Sequence, residues 1–150
     1  MKIRYFNDQD IEDIYLAEQK AFDVGAYSKR EINSMVHSKN SFSLVIEEND
    51  FLIGYATAAE MDDSSMDIES IAIIPEFQGR GYGSLLINKI ESEIIKRNYK
   101  ISILEVREKN DTAYIFYLKH GYKFLQFLNN YYSIPYKGSK NAYRLIKNLV

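Results

Sequence analysis

The chain has no cysteine and no tryptophan, only two histidines and two prolines, and no long apolar run in its 150 residues. Without cysteine there is no thiol nucleophile, no disulfide framework and no thiolate-held zinc or iron–sulfur centre. His37 and His120 stand far apart in unrelated contexts. A histidine-rich metal site is therefore not expected, and a Ser-His-Asp triad would have only these two to draw on. Acid–base chemistry falls to Glu, Asp, Tyr or Lys. No stretch approaches the ~20 apolar residues of a membrane span, and the start, MKIRYFNDQD, turns acidic without the apolar core of a signal peptide. A cytoplasmic protein with no membrane partner is the expectation. The 19 Lys and Arg against 21 Asp and Glu, net charge −2, give no general attraction to nucleic acid.

What is present suits one globular domain over residues 1–150: 46% apolar residues, 27% charged, and 13 Tyr with 8 Phe. Such a chain can bury a core without a covalent or metal staple. Lys2 to Phe6 alternates as a strand, and Asp8 or Asp10 can cap a helix reaching about Phe22 through Ile11, Ile14, Tyr15 and Ala21. Asp23 to Tyr27 interrupts it. Ser28 with Glu31 forms a capping-box pattern for a second helix that carries Ile32, Met35 and Val36 to about Ser38. Two β-rich runs, Phe42 to Ile46 and Leu52 to Glu60, flank a turn at Glu47 to Asp50, and a third, Met66 to Ile74, ends at Pro75.

Ser84 to Arg97 repeats Leu86, Ile90 and Ile94 every four residues, with Lys89, Glu91, Glu93 and Lys96 on the remaining positions, as an amphipathic helix does. Ile101 to Val106 is a strand. Asn110 or Asp111 can cap a helix ending at Lys119 or His120, with Gly121 just past it. Tyr122 to Leu128 and Ala142 to Ile146 are the last strands, joined by a tyrosine-bearing loop from Asn129 to Asn141. The order βααβββαβαββ describes a mixed α/β domain whose central strand–helix–strand unit is a parallel crossover.

Gly79, Gly81 and Gly83 lie between a strand and a helix, where glycine permits positive φ and close approach of a ligand to the main chain. Successive N–H groups at a helix start suit a pyrophosphate, although three glycines can also simply make a tight turn. A P-loop needs Gly-Lys before Ser or Thr, and Tyr82-Gly83-Ser84 has no lysine. A dinucleotide fingerprint needs GxGxxG, and Gly79-Arg80-Gly81-Tyr82-Gly83 brings its third glycine one residue early.

The run SIAIIPEFQGRGYGSLLINKIE resembles the acetyl-coenzyme A motif of the GNAT superfamily of N-acetyltransferases, Gln/Arg-x-x-Gly-x-Gly/Ala, with Gln78, Gly81 and Gly83 at its defined positions. The following LEVREKNDTAYIFYLKHGYKF continues the pattern in register, so about half the chain takes part. A GNAT fold, with a mixed sheet flanked by helices, is what this resemblance implies. Leu104-Glu105-Val106-Arg107, Asn110, Tyr117, Gly121-Tyr122 and Asn130-Tyr131-Tyr132 further resemble ribosomal-protein alanine N-acetyltransferases and related protein Nα-acetyltransferases. Two departures fall where an acceptor would sit. Asn141 precedes Ala142 in place of an acidic residue, and Asp23-Val24-Gly25-Ala26 lacks the usual proline before Tyr27-Ser28.

By period two, Glu105 shares a strand face with Ile101, Ile103 and Arg107. The resemblance makes it the general base; the plainer alternative is a salt bridge to Arg107 or a lysine. Asn110 and Tyr117 are nearly two helical turns apart, about 10 Å along the axis, so one elongated ligand could meet both. The resemblance puts Asn110 on coenzyme A and Tyr117 beside the thioester sulfur as general acid, against a helix cap and a core aromatic. It also implies that main-chain groups of Ile71, Ala72 and Ile73 pair with the pantetheine arm. Amides of Gln78, Gly79, Arg80, Gly81, Tyr82, Gly83 and Ser84 would hold the pyrophosphate, the Arg80 side chain being either a phosphate contact or solvated.

Tyr27, Tyr131 and Tyr132, on two loops that the fold would bring together, are the candidates for a peptide acceptor, and a ribosomal protein would be one such partner. His37 and His120 read as helix-end residues. Asp62, Asp63, Asp67 and Glu69 form an acidic run that is either a groove for a polycation or a solvated turn. Acetylation of a polyamine, amino sugar or antibiotic is the rival activity, and a catalytically silent coenzyme A-binding module the rival class. Either a monomer or an edge-strand homodimer is compatible with the sequence.

Overall fold

The computed structural model describes residues 1–150. Its elements run β1 (Lys2–Tyr5), α1 (Ile11–Ala21), α2 (Lys29–Val36), β2 (Ser41–Glu48), β3 (Phe51–Glu60), β4 (Ser65–Ile73), α3 (Tyr82–Lys96), β5 (Ile101–Arg107), α4 (Asp111–Lys119), β6 (Lys123–Leu128) and β7 (Ala142–Asn148). Short 3-10 turns at Asp8–Asp10 and Pro75–Phe77 precede α1 and α3. The expected order is present. One sheet carries all seven strands as β1-β2-β3-β4-β5-β7-β6, with β4 and β5 its parallel pair and α3 the crossover between them.

Local chemistry explains most boundaries. Asn49 and Asp50 both take positive φ, 51° and 65°, so a two-residue turn matches the twist of the β2–β3 hairpin. Ser28 and Glu31 close the capping box at α2 as their spacing predicts. Asp10 stands at the N-cap position of α1, as one of the two expected candidates, but its side chain makes no capping bond there. Asn7 caps the 3-10 turn instead, while the buried Asp10 turns back to the Asn7 N–H at 2.8 Å and to Arg4, also at 2.8 Å.

Two apolar layers cover the sheet. On one face Leu86, Ile87, Ile90 and Ile94 of α3, all 0% exposed, pack on Leu44, Ile46, Ile68, Leu104 and Leu145. On the other, Ile14 of α1 and Ile32 and Val36 of α2 meet Val45, Tyr55 and Ala72. Glu91 and Glu93, placed by period on the polar side of α3, are buried. Residues distant in sequence supply what their carboxylates need: Tyr122, just before β6, and Lys147 of β7 donate to Glu91 at 2.9 and 2.8 Å, and Tyr5 of β1 donates to Glu93. No helix is long and apolar enough to cross a membrane.

Candidate active site

The site is a fork in the sheet. β4 and β5 pair only from Ser65 opposite Ile101 to Ile68 opposite Leu104. On its other side β4 faces β3, where Ala58 is opposite Ile68 but Thr57 is opposite Ser70, so Glu69 is an extra residue in a β-bulge. A bulge bends its strand and shifts the alternation of side chains by one. Beyond it β4 parts from β5, and Ser70 and Ala72 rather than odd-numbered residues turn toward α1.

The Ile74 N–H donates to the Ile53 oxygen at 2.9 Å, and alternation along the antiparallel ladder then directs the Ala72 main chain to β3. Consistent with this, a Cβ on Gly54 would lie 2.5 Å from the Ala72 oxygen. Ile71 and Ile73 present their main chain to the open edge, whereas Ala72 does not. The Gln78 amide braces that edge by donating to the Ile73 oxygen at 2.8 Å.

The glycine turn closes the mouth of the fork. Gly79 and Gly81 have φ of 74° and 89°, and a Cβ on either would meet no atom within 4 Å, so conformation, not crowding within the protein, requires glycine there. Gly81 is the α3 N-cap and has no side-chain capping bond. The N–H groups from Gly79 to Ser84 make no hydrogen bond within the protein. They form the concave donor array that suits a pyrophosphate. The guanidinium of Arg80 lies over the Phe77 ring at 5.1 Å. A Cβ on Gly83 would approach Phe116 to 3.4 Å, so this glycine lets α3 and α4 pack closely.

Glu105 lies on β5 one residue past the last β4 pair, with its side chain 9% exposed. Its ion-pair partner is neither Arg107 nor a lysine. Arg144, directly opposite on β7, donates from Nε to Oε2 at 2.9 Å. Arg107 instead donates to the Ile134 oxygen at 2.9 Å and lies 3.9 Å over the Tyr132 ring. Its guanidinium also sits against Gly25, where a Cβ would come within 2.6 Å. Arg107 thereby ties the α1–α2 loop to the β6–β7 loop.

The acidic run divides. Asp62 is a turn residue that accepts from the Ser64 and Ser65 N–H groups at 2.9 Å. Asp67 lies inside β4, partly buried, opposite Ile103 and on the same face of the sheet as Glu105 two residues further along β5. Burial first, and then Glu105, push its carboxyl up to about 9.

Tyr117 is 8% exposed, with edge contacts to Phe116 and Tyr122. Burial raises its hydroxyl above the usual phenol range, with a smaller contribution from Tyr132. That hydroxyl makes no hydrogen bond within the protein. Because every fully occluded polar side-chain atom has a partner, the Tyr117 oxygen must reach solvent. Asn110 is the α4 N-cap, accepting from the Ala113 N–H at 3.2 Å, which leaves its amide donors available. His120 ends α4, with Nε2 3.0 Å from Ser84 Oγ, and His37 ends α2, 2.7 Å from Asp8.

The two tyrosine loops meet through Arg107, which touches Gly25 of one and the Tyr132 ring of the other. The Tyr27 hydroxyl donates to the Glu69 oxygen at 3.3 Å, and Tyr131 and Tyr132 stack edge to face at 4.9 Å. Burial raises the Tyr132 hydroxyl to about 12, and the Arg107 charge opposes the rise. Asn141 accepts from the Asn130 N–H at 2.9 Å and donates to Glu108, so it fixes the loop that carries Tyr131.

Three residues have partners that a reading of the sequence does not supply. Arg144 and Asp67 join the site only through strand pairing, although a charged residue between apolar Met66 and Ile68 was a signal for Asp67. Glu18, 2% exposed on α1, accepts from Tyr55 at 2.6 Å, Ser70 at 3.2 Å and the Tyr27 N–H at 3.0 Å, anchoring the acceptor-side loop to the sheet. No group of His, Asp and Glu is arranged to hold a metal ion.

The model of the acetyltransferase (GNAT) family matches residues 8–122. The chain belongs to the GNAT family. As a GNAT member it is an acetyl-coenzyme A-dependent N-acetyltransferase. It is 31% identical over 134 residues, 89% of this chain and 88% of the relative, to the [ribosomal protein bS18]-alanine N-acetyltransferase of Haemophilus influenzae. The crystal structure of the ribosomal-protein-S18-alanine N-acetyltransferase from Escherichia coli superposes with TM-score 0.88 at 23% identity, over 99% of this chain and 93% of that one. A GNAT acetyltransferase from Elizabethkingia anophelis with acetyl-CoA bound gives TM-score 0.83 at 18% identity, over 99% and 97%. These two likenesses establish the GNAT fold.

Proposed function

We propose that this enzyme acetylates the N-terminal α-amine of a protein or peptide, with Glu105 as proton acceptor and Tyr117 as proton donor. The fork supports the reading through three features: a carboxylate on β5, an open strand edge that ends in a free N–H array, and a buried phenol on α4 with no protein partner. Ile71 and Ile73 would pair with the pantetheine arm, the Gly79 to Ser84 amides would hold the pyrophosphate, and Asn110 would donate to the ligand from the α4 cap. When bound, acetyl-coenzyme A supplies an activated acetyl thioester.

The Glu105 carboxylate takes a proton from the acceptor ammonium, directly or through one water, and frees the nitrogen lone pair for the acetyl carbon. As the C–S bond breaks, the Tyr117 hydroxyl gives its proton to the sulfur. The second amine proton goes to solvent and Tyr117 is reprotonated from it, so the products are the amide and the free thiol. The hydroxyls of Tyr27, Tyr131 and Tyr132 would orient the first peptide units by their carbonyls and by shape. Relatedness to the alanine N-acetyltransferase supports a peptide amine.

A second reading, a polyamine or another cationic small amine, draws on Asp67 and Glu69 beside Glu105. Thiol release with short peptides varied at their first residue, alongside spermidine and amino sugars, separates the two. The expected result is turnover with peptides and little with the others. Turnover with small amines alone would replace the peptide reading, and none with any amine would leave a coenzyme A-binding module.

A further inference from the structure

We propose that Asp67 is a positioning residue whose protonated carboxyl donates a hydrogen bond to the Glu105 carboxylate and so fixes the proton acceptor in place. The inference rests on the reading of Glu105 as proton acceptor and adds the residue that sets its orientation.

The geometry brings the groups together without enough cations to hold both charges. Asp67 is opposite Ile103 in the parallel register, and Glu105 is two residues further along β5 on the same face. Arg144 supplies the single guanidinium, and it is placed on Glu105. Asp67 accepts from no N–H or hydroxyl, and its antiparallel partner on β3 is Ala59, which brings no charge. Arg107 is committed to the Ile134 oxygen and the Tyr132 ring. The remaining groups facing the pair are Glu69 on the same strand and Tyr131 and Tyr132 on the β6–β7 loop, and none of these is a cation. Two neighbouring carboxyl groups in a partly desolvated site attract each other only when one is protonated. The raised Asp67 carboxyl agrees with this arrangement.

In turnover the N–H bond of the acceptor ammonium breaks and its proton joins the pair, which then holds two. One is released to water before the next cycle, and the pair returns to one. Asp67 thus donates a hydrogen bond that fixes Glu105 from the side opposite Arg144.

Carbon-13 NMR of the side-chain carboxyls in the free enzyme tests this without any acceptor. In the wild-type protein the Asp67 carbon should remain protonated at pH 7 and titrate near pH 9. That step should be missing in Asp67→Asn. Titration of Asp67 in the ordinary range, about pH 4, overturns the proposal. In thiol-release assays Asp67→Asn, whose amide still donates toward Glu105, should keep kcat within about threefold. Asp67→Ala, which has no donor, should lower kcat about tenfold at unchanged KM. Equal losses in both variants, or none in either, also overturn it. Should a variant fail to fold, the wild-type titration decides. A late-titrating Asp67 in a protein inactive toward every amine supports the protonated Asp67 and removes the proton-acceptor role, whereas an early-titrating Asp67 in an active enzyme does the reverse.

Discussion

Replacing Tyr117 with Phe removes one oxygen and leaves the ring, so the structure permits separate expectations for stability and rate. The ring is 8% exposed and keeps its contacts with Phe116 and Tyr122. The hydroxyl bonds to no protein atom, so no donor or acceptor is orphaned when it goes. Loss of a buried hydrogen-bonded hydroxyl costs roughly 1–3 kcal/mol, but here the expected change is within about 0.5 kcal/mol. For a chain of this size that is a shift of about 2 °C or less in Tm. A proton donor to a leaving group contributes about 10²–10⁴-fold to rate. Tyr117→Phe should therefore lower kcat at least about a hundredfold with little change in Tm or in acetyl-coenzyme A affinity. Thiol release gives kcat and KM, and thermal unfolding gives Tm. Unchanged kcat would refute the donor role, and a rate loss matched by a fall in Tm or cofactor affinity would mark Tyr117 as a packing residue.

Gly81→Ala forces a left-handed conformation on an L side chain, a cost of about 1–2 kcal/mol, and moves the amides that face the pyrophosphate. Expected are a Tm lower by about 2–8 °C and a KM for acetyl-coenzyme A raised about tenfold at similar kcat; unchanged KM would detach this turn from cofactor binding. Burial holds the Glu18 carboxyl above its ordinary range against the opposing hydrogen bonds of Tyr55, Tyr27 and Ser70. The folded state then binds more protons than the unfolded one from the ordinary glutamate range up to the raised value, so this residue's contribution to stability falls as pH rises through that window. In urea unfolding, Glu18→Gln should gain relative to wild type as pH rises above the ordinary glutamate range; parallel pH curves would contradict it.

Local signals in the chain carry much of the fold. Ser28 with Glu31, Asn49-Asp50 and the Leu86, Ile90, Ile94 repeat each act within a few residues, and each forms the element its spacing implies. The glycine turn and the placing of Glu105 on a strand and Tyr117 on a helix are legible for the same reason. Partnerships set by the sheet were not. Glu105 meets Arg144 from 39 residues away, and Glu18 meets Tyr55 and Ser70 across 37 and 52 residues. Helical period puts Glu91 on the polar side, but Lys147, 56 residues on, makes its burial tolerable. Asp67 was obscured by lying near Asp62 and Asp63 in sequence, and only the strand register separates it from that turn. The Glu69 bulge, which opens the fork, is likewise a property of two strands rather than one.

Transfer to an α-amine is tested most directly with a peptide that offers both kinds of primary amine. Incubation of the enzyme and acetyl-coenzyme A with a short peptide beginning with alanine and containing an internal lysine, followed by fragmentation mass spectrometry, locates the acetyl group. The expected product carries it on the α-nitrogen of the peptide's first residue alone, and a copy with a blocked N-terminus remains unmodified. Acetyl on the lysine side chain, or an unmodified peptide where spermidine is acetylated under the same conditions, would contradict the account.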